Sequence, residues 1–350
     1  MKGDVDVGQD RIRVGIGGLG RSGWGIHSRI LGELPEYYDV VAVTDDDSGR
    51  CAEARERFGC RTYSSYEAML EDDEIEMIVV ALPSFLHADA SIAALKAGKC
   101  VVCEKPMATN LADADRMIAA AEQTGQILTV FQNRRYDPDY LTVREVIESG
   151  RIGRVVQINM TGSGFSRRWD WQTLQKFGGG SLNNTAVHYL DQAVQLFGEA
   201  QPRVMCHMER ALTLGDAEDH VKVILHGEGP LIDVEVTSAC AYPTPTWRVF
   251  ATLGGLVGTT KELQWKWVDP AALPERTVDT RPTPDRSYNR EDYEWHEASW
   301  TVDDYDGPGQ NGYYIDLFRT VREGAPLAVT PASVRRVMWV IEECHCQSPV

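Results

Sequence analysis

The sequence predicts an α/β fold in two parts: a doubly wound parallel sheet, then a second α/β unit with an open antiparallel sheet. Three observations predict it. Short β-branched runs alternate with helical segments over the first 130 residues, longer alternating strands replace them afterwards, and a glycine-rich loop joins the first strand to the first helix. At 350 residues the chain has length for about two domains. We place the boundary so that 1–130 forms the first and 131–350 the second.

In the first part, RIRVGIG (11–17) reads as a strand, and the glycines lead into a helical stretch through HSRILGELP. DVVAVT (39–44) is a second strand. CAEARERFG (51–59) has helical composition and a glycine stop. EMIVVAL (76–82) is a third strand, ending at Pro83, and HADASIAALKAGK (87–99) has apolar residues at helical spacing. CVVCE, LADADRMIAAAEQTG and QILTVFQ continue as strand, helix, strand. Such alternation implies crossovers and a parallel sheet, whose central strands are apolar on both faces.

In the second part, RVVQINMTGSGF, PRVMCHMERAL, HVKVILHG, LIDVEVTSAC and WRVFATLGG read as strands separated by turns, with a helix at 188–198 (HYLDQAVQLFG). A final helix is predicted over PASVRRVMWVIEECHC. Residues 269–292, rich in Pro, Arg and Asp, read as a long loop or insertion with a candidate functional role.

Hydrophobic residues make up 43% and charged residues 25% of the chain. That balance belongs to a soluble globular protein and excludes long disorder and collagen-like repeats. No apolar run approaches the ~18 residues of a spanning helix. The opening MKGDVDVGQD lacks the apolar stretch of a secretion signal, so a cytoplasmic location is expected. Acidic residues outnumber basic ones 52 to 35, for a net charge of −17. A field of that sign repels nucleic acid and anionic membrane, so neither is an expected partner. The eight cysteines are scattered, as reduced thiols are. Cys100 and Cys103 sit three apart on a predicted strand and face opposite sides, so they cannot converge on a metal, and no metal is expected. Cys344 and Cys346, either side of His345, read as a frayed helix end.

Two glycine registers overlap: Gly15, Gly17, Gly20 and Gly18, Gly20, Gly23 both fit G-x-G-x-x-G. The second follows the strand directly and lets the helix run from about Arg21. Its glycines permit a tight turn and close approach of backbone to a pyrophosphate, which then rests on helix N-terminal amides. Arg21 and Ser22 lie within this loop. The second strand ends at Asp45, 22 residues after Gly23, where a carboxylate is placed to bind both ribose hydroxyls. A 2′-phosphate there would meet Asp45, Asp46 and Asp47, and like charges at contact cost several kcal/mol. NAD is therefore predicted over NADP. Arg50 is placed on the solvated face of the next helix.

The segments G-L-G-R-S-G-W-G-I-H (18–27), V-A-V-T-D (41–45), A-L-P-S-F-L-H (81–87), A-G-K-C-V-V-C-E-K-P (97–106) and G-G-G-S-L-N-N-T-A-V-H-Y-L-D (178–191) carry a resemblance. Together they resemble the glucose–fructose oxidoreductase/inositol dehydrogenase/rhizopine-catabolism (Gfo/Idh/MocA) oxidoreductases over nearly the whole chain. The resemblance implies a Rossmann domain followed by an α/β domain with an open antiparallel sheet. That sheet commonly serves in oligomerisation, so a homo-oligomer, a dimer or tetramer, is expected. It implies that Lys105, in the Glu104–Lys105–Pro106 motif, sits near the nicotinamide and stabilises negative charge developing on the substrate hydroxyl. Family members often have a cis bond before the proline. His188 would be the general base. The family pattern has Asp four residues before this histidine, and here stands Asn184. An amide can accept an imidazole N–H but supplies no charge; the comparable swap in serine proteases costs about 10⁴-fold. Three roles stay open: Asn184 as neutral partner of His188, Asp191 as assisting acid, or Asn184 as ligand to a substrate hydroxyl.

Leu82, Pro83, Ser84 and His87 match the family segment that lines the cofactor, with Ser84 towards ribose or nicotinamide and His87 near the cofactor through its backbone. Gln132, Asn133 and Arg134 follow the fifth predicted strand, at the carboxyl edge where cofactors bind. Trp171 is preferred to Trp169 as a wall of the site. Arg134, Arg135, Arg167 and Arg168 are candidates to bind an acidic substrate or the cofactor phosphates. Eight of nine tryptophans follow residue 130, and stacking on sugar rings or filling the sheet interface both explain them.

The expected activity is an NAD-dependent oxidation of a secondary hydroxyl on a sugar, polyol or glycoside, with the glucose 3-hydroxyl as a special case. Two other classes stay open. One is NAD-assisted glycoside cleavage without net redox change. The other is a non-catalytic, sugar-responsive regulator, against which the intact Lys105 and His188 argue.

Overall fold

Six strands form a parallel sheet: β1 (Ile12–Gly17), β2 (Tyr38–Thr44), β3 (Arg61–Tyr63), β4 (Met77–Val80), β5 (Cys100–Cys103) and β6 (Leu128–Val130), in the order β3-β2-β1-β4-β5-β6. The computed structural model describes residues 11–282 and 286–350, so the reading of the first ten residues and part of the 269–292 loop lie outside the described residues. β4 is buried at every position, as a strand covered on both faces must be. The strands are joined by α1 (Arg29–Glu33), α2 (Ser48–Phe58), α3 (Tyr66–Leu70), α4 (His87–Lys96) and α5 (Leu111–Thr124). Asp47, Ser65 and Asn110 accept backbone N–H groups at the starts of α2, α3 and α5, and α2 and α5 end on the left-handed Gly59 and Gly125. The strand order turns back between β1 and β4, and a crevice at such a switch point is where open α/β sheets bind ligands. β3 and α3 have no counterpart in the sequence reading, because three and five residues are too few to show a period.

The chain continues through α6 (Pro138–Glu148), β7 (Val155–Ser163), α7 (Val187–Phe197), β8 (Arg203–Glu209), β9 (His220–His226), β10 (Leu231–Thr237), β11 (Trp247–Ala251), β12 (Gly254–Gly258), β13 (Glu262–Val268), β14 (Trp295–Thr301), α8 (Gly312–Phe318) and α9 (Pro331–Gln347). Strands β7–β14 make an eight-stranded sheet in the order β14-β13-β12-β11-β7-β10-β9-β8. One pair corrects the antiparallel expectation: β10 runs parallel to β7, so the sheet is mixed. The cause is the crossover. The chain leaves β7 through α7 and re-enters at β8 in the same direction, and the β8–β9–β10 meander then brings β10 alongside β7. Alternate residues of β9 and β10 are buried, which leaves the other sheet face outward.

α9 packs against β8, α7 and α5, tying the two sheets together. It corrects the frayed-end reading of Cys344 and Cys346. The helix runs unbroken to Gln347, Cys344 lies fully buried on the stripe of Val337 and Ile341, and Cys346 is exposed. Gln347 and Ser348 accept the backbone N–H groups of Cys206 and Met208, so the helix end is pinned to the edge strand β8. Cys103 is buried while Cys100 is partly exposed, and no metal-binding cluster occurs among the described residues. Among its described residues, the loop 269–292 includes a short turn, Pro270–Ala272, and local pairs such as Arg276–Glu291. Trp247 is buried with its indole N–H donated to Asp139 at 2.8 Å, and Trp265, Trp267, Trp300 and Trp339 pack against the core, so filling the sheet explains most of the late tryptophans. No described helix is long and apolar enough to cross a membrane.

Candidate active site

β1 ends at Gly17, and the chain turns through Gly18 at a φ of +91°. A Cβ on Gly18 would come within 2.6 Å of the Ala81 carbonyl, and one on Gly23 would overlap the Gly18 carbonyl, whereas the space around Gly20 is open. The loop is therefore a cradle that only glycine closes, with room above Gly20 for a ligand. The helix begins at Arg21 and is wound as a π-helix over Gly23–Ser28 before α1. Arg21 is exposed and Ser22 half-buried at its mouth.

Asp45 follows β2. One oxygen accepts the Leu19 N–H from the glycine loop at 2.6 Å, and the other accepts the Asp47 N–H at 2.9 Å. A carboxylate offers about four acceptor positions, and with Arg50 Nη1 on Oδ1 at 3.4 Å three are taken, so one on Oδ2 stays available for a ribose hydroxyl. Arg50 lies exposed on α2, as expected, and its guanidinium also reaches Asp45 at 3.4 Å.

Leu82, Pro83 and Ser84 form the loop after β4, with Pro83 exposed and Ser84 half-buried. His87 opens α4. Its ring is buried and bridges two carbonyls, of Pro106 and Leu82, each at 2.8 Å, so it braces the two loops that frame the site. Gln132, after β6, is buried with both side-chain polar atoms unpaired. A buried amide without partners is costly unless a ligand satisfies it. With the glycine cradle and Asp45, this edge of the sheet fits a dinucleotide.

Glu104 and Lys105 follow β5, and the Lys105–Pro106 bond is cis. Lys105 donates from Nζ to the carbonyl of Asn184 at 2.9 Å. Burial lowers its pKa from the ordinary 10.5, and Arg134, Arg21 and Arg168 push the same way against the opposing charge of Glu104. One helical turn after Asn184 stands His188, 8% exposed, with Nδ1 buried and unpaired. Burial first, then the charges of Lys105 and Arg134, hold its pKa well below the ordinary 6.5. The imidazole is thus neutral at neutral pH.

The structure narrows the three roles left open for the acid partner. The Asn184 side chain is directed to Gln172 Oε1, at 3.4 Å, and what reaches Lys105 is the Asn184 backbone carbonyl. Asp191 is not available to His188. It is buried in a bidentate pair with Arg135, at 2.7 and 2.6 Å, which ties α7 to the turn after β6. Arg168 is likewise paired with Asp170 and donates to Gln172.

Trp171 is half-exposed and meets Phe177 edge-on at 6.2 Å, and Phe177 lies 5.6 Å from Phe85, while Trp169 is 77% exposed. A cavity of about 530 Å³ lies beside this group, lined by Phe85, Thr109, Gly178, Asn183, Glu218 and His345; neither Lys105 nor His188 lines it. Glu218 sits where a Cβ on Gly180 would be, and it accepts the Leu182 N–H at 2.8 Å, fixing the start of the segment that carries Asn184 and His188. Sequence reasoning missed Gln172, Glu218, His27 and Tyr314. Their roles come from contacts across tens to hundreds of residues, and only the histidine inside the 18–27 segment offered a signal.

Two family models match the chain. Residues 12–132 match the oxidoreductase family with an NAD-binding Rossmann fold, and residues 140–257 match the GFO/IDH/MocA C-terminal domain. An uncharacterized oxidoreductase of Schizosaccharomyces pombe is 33% identical over 65% of the chain, a match that spans 64% of that protein, less than two thirds of its length. Inositol 2-dehydrogenase 2 of Saccharopolyspora erythraea is 32% identical over 66% of the chain and 68% of its own length. The NADP(+)-dependent scyllo-inositol 2-dehydrogenase of Bacillus subtilis is 27% identical over 95% of the chain and 92% of its own. Among solved structures, a dehydrogenase from Chromobacterium violaceum in complex with NADH and UDP-GlcNAcA superposes with a TM-score of 0.81 at 23% identity, covering 99% of this chain and 96% of that one.

Proposed function

The chain belongs to the Gfo/Idh/MocA oxidoreductase family, and on that premise we propose that it is an NAD-dependent dehydrogenase oxidising a secondary hydroxyl of a sugar or polyol. One observation carries the reading: an ammonium from the end of β5 bonds the backbone one turn before a neutral, half-unpaired imidazole on α7. Two groups suited to hydroxyl chemistry, from distant stretches of chain, thus meet at the carboxyl edge of the parallel sheet.

NAD, when bound, supplies the hydride acceptor. The loop from Gly18 to Gly23, with Arg21 and Ser22, receives its pyrophosphate, Asp45 its ribose, and the unpaired amide of Gln132 gives a donor and an acceptor near the strand ends. Leu82, Pro83 and Ser84 close the side of the crevice. Lys105 hydrogen-bonds the reacting oxygen and offsets charge developing there. His188 takes the hydroxyl proton at a ring nitrogen, and its depressed pKa keeps it in the base form. The carboxylate of Asp45 disfavours a 2′-phosphate even with Arg50 alongside, which supports NAD over NADP. The Trp171–Phe177–Phe85 group gives stacking faces for a sugar ring, which supports a sugar or glycoside substrate; oxidation at the glucose 3-hydroxyl is the finer form of the reading. The eight free thiols fit a cytosolic setting.

The test is a panel of inositols, sugars and glycosides with NAD and with NADP, followed by reduced-nicotinamide absorbance. Turnover at lower NAD than NADP concentration is expected, and Lys105→Ala and His188→Ala should each reduce it by about 10²–10⁴-fold. Near-normal rates in both variants discard the site. Release of an aglycone without NADH accumulation would instead identify the cleavage reaction.

A further inference from the structure

A buried chain of hydrogen bonds runs behind Lys105, outside the groups assigned above. His27, on the helix that follows the glycine loop, is fully buried. Its Nδ1 lies 2.7 Å from the hydroxyl of Tyr314 on α8, and its Nε2 lies 3.0 Å from Glu104 Oε1. The other Glu104 oxygen accepts the backbone N–H of Lys105 at 2.9 Å. Phe131 packs on the imidazole with ring centroids 4.4 Å apart, and the Tyr38 hydroxyl donates to the Tyr314 carbonyl at 2.7 Å. Every polar member is enclosed by protein.

The chemistry of the partners fixes the direction of each bond. Burial raises the Tyr314 phenol well above its ordinary pKa, so it keeps its proton. A carboxylate accepts only. The ring therefore carries its proton on Nε2, donated to Glu104, and accepts at Nδ1 from Tyr314. Both ring nitrogens are satisfied by one neutral tautomer, and the phenol selects it. Burial works against the charge on Glu104, yet the His27 hydrogen bond, the Lys105 charge and the Lys105 N–H outweigh it and hold the carboxyl below its ordinary value.

We propose that His27 and Tyr314 are positioning residues: through the selected tautomer they keep the Glu104 carboxylate charged and directed at Lys105, and so hold Lys105 as an ammonium. The charge balance around Lys105 makes this consequential. Arg21, Arg134 and Arg168 surround it, His188 is neutral nearby, and Glu104 is the anion opposing them. Around Glu104, the facing titratable groups are His27, Lys105, His87, Tyr314 and Cys103. Without the Tyr314 hydroxyl the ring can turn its acceptor nitrogen to Glu104, and a carboxyl facing an acceptor is stabilised when protonated. The ammonium then loses its counter-charge. The network also spans three parts of the chain: the glycine-loop helix, the end of β5, and α8.

The proposal rests on the site reading above, but its test needs no turnover. The protein is labelled with acetic anhydride across a pH series, and modification of Lys105 is read by peptide mass spectrometry. In Tyr314→Phe the labelling midpoint should fall by about one pH unit or more relative to the parent, and in Glu104→Gln it should fall at least as far. In any substrate assay that works, the high-pH limb of kcat/KM should move down by the same amount while KM for NAD changes little. A midpoint unmoved in Tyr314→Phe, with only a lower Tm, makes His27 and Tyr314 packing residues and overturns the proposal. An unmoved midpoint in Glu104→Gln overturns it too, even if the tyrosine variant does not fold. Absence of NADH formation by the parent enzyme strikes the dehydrogenase reading alone and leaves the labelling result standing.

Discussion

At Asn184 an amide stands where the family has a carboxylate, and the surroundings favour the amide. Its Nδ2 donates to Gln172 Oε1, which also accepts from Arg168 at 2.8 Å. An aspartate there would place a carboxylate against that carbonyl oxygen, forcing the Gln172 amide to flip and give up its bond from Arg168. The site loses part of its positioning, and about 1.4 kcal/mol on the barrier is about tenfold in rate. We expect Asn184→Asp to lower kcat by about that factor in steady-state assays; a gain would mean that the amide impairs the site. The base does not depend on a carboxylate partner to stay in its working form. Burial and the charges of Lys105 and Arg134 hold His188 well below the ordinary 6.5, so the acid limb of oxidation should lie well below that value and rates should not fall as pH drops through 6.5. A limb centred near 6.5 would show an imidazole exposed to water.

The element that carries His188 is positioned from both ends. Arg135 grips Asp191 within α7, and Glu218, on the chain entering β9, holds its start through Leu182 and Ser181. Burial pushes the Glu218 carboxyl up from the ordinary 4.5 to about 7. The folded protein therefore holds a proton there that the unfolded chain has lost. Stability from this group is full below pH 4.5 and is lost as pH rises to 7, by roughly 3 kcal/mol. Glu218→Gln keeps an acceptor for the Leu182 N–H and carries no charge. Compared by urea unfolding, it should gain on the parent between pH 5 and pH 8, and an equal offset at both values would show that Glu218 does not titrate. Such couplings explain what was legible in sequence. The glycine loop, Asp45, Lys105 and His188 lie in local motifs whose residue types announce their chemistry, and the long apolar runs of β1, β2 and β4 show their burial directly. Glu218 and Tyr314 look ordinary in sequence, and Arg135 looks like an anion-binding candidate, because their meaning lies in partners 36, 287 and 56 positions away. The parallel β7–β10 pair was hidden for a related reason: strand patterns record which face is buried, and direction is set by the crossover through α7.

At the scale of the whole molecule, alternate positions of β8, β11 and β13 in the eight-stranded sheet are exposed. The strand register places Phe250 opposite Gln157, Arg248 opposite Asn159 and Val257 opposite Arg248, so these residues share the outward face. Leu231 and Met205 continue it across β10 and β8, and Phe250, Val257, Leu231 and Met205 are each more than a third exposed. Between them, Lys222 lies 2.7 Å from Asp233 and 3.1 Å from Glu235, and Arg248 on the same face supplies the second positive charge against these two carboxylates. A self-balanced, partly apolar sheet suits contact with a second copy of itself, where a net charge of −17 would otherwise drive subunits apart. We propose that the protein assembles through this face as a dimer or tetramer. Light scattering at micromolar concentration should give a multiple of the chain mass, and Phe250→Asp with Val257→Asp should shift it towards the monomer while leaving the glycine loop, Lys105 and His188 in place. If the double variant keeps the parent mass, the subunits meet elsewhere; if the parent is a monomer at that concentration, this face serves no assembly of the chain with itself.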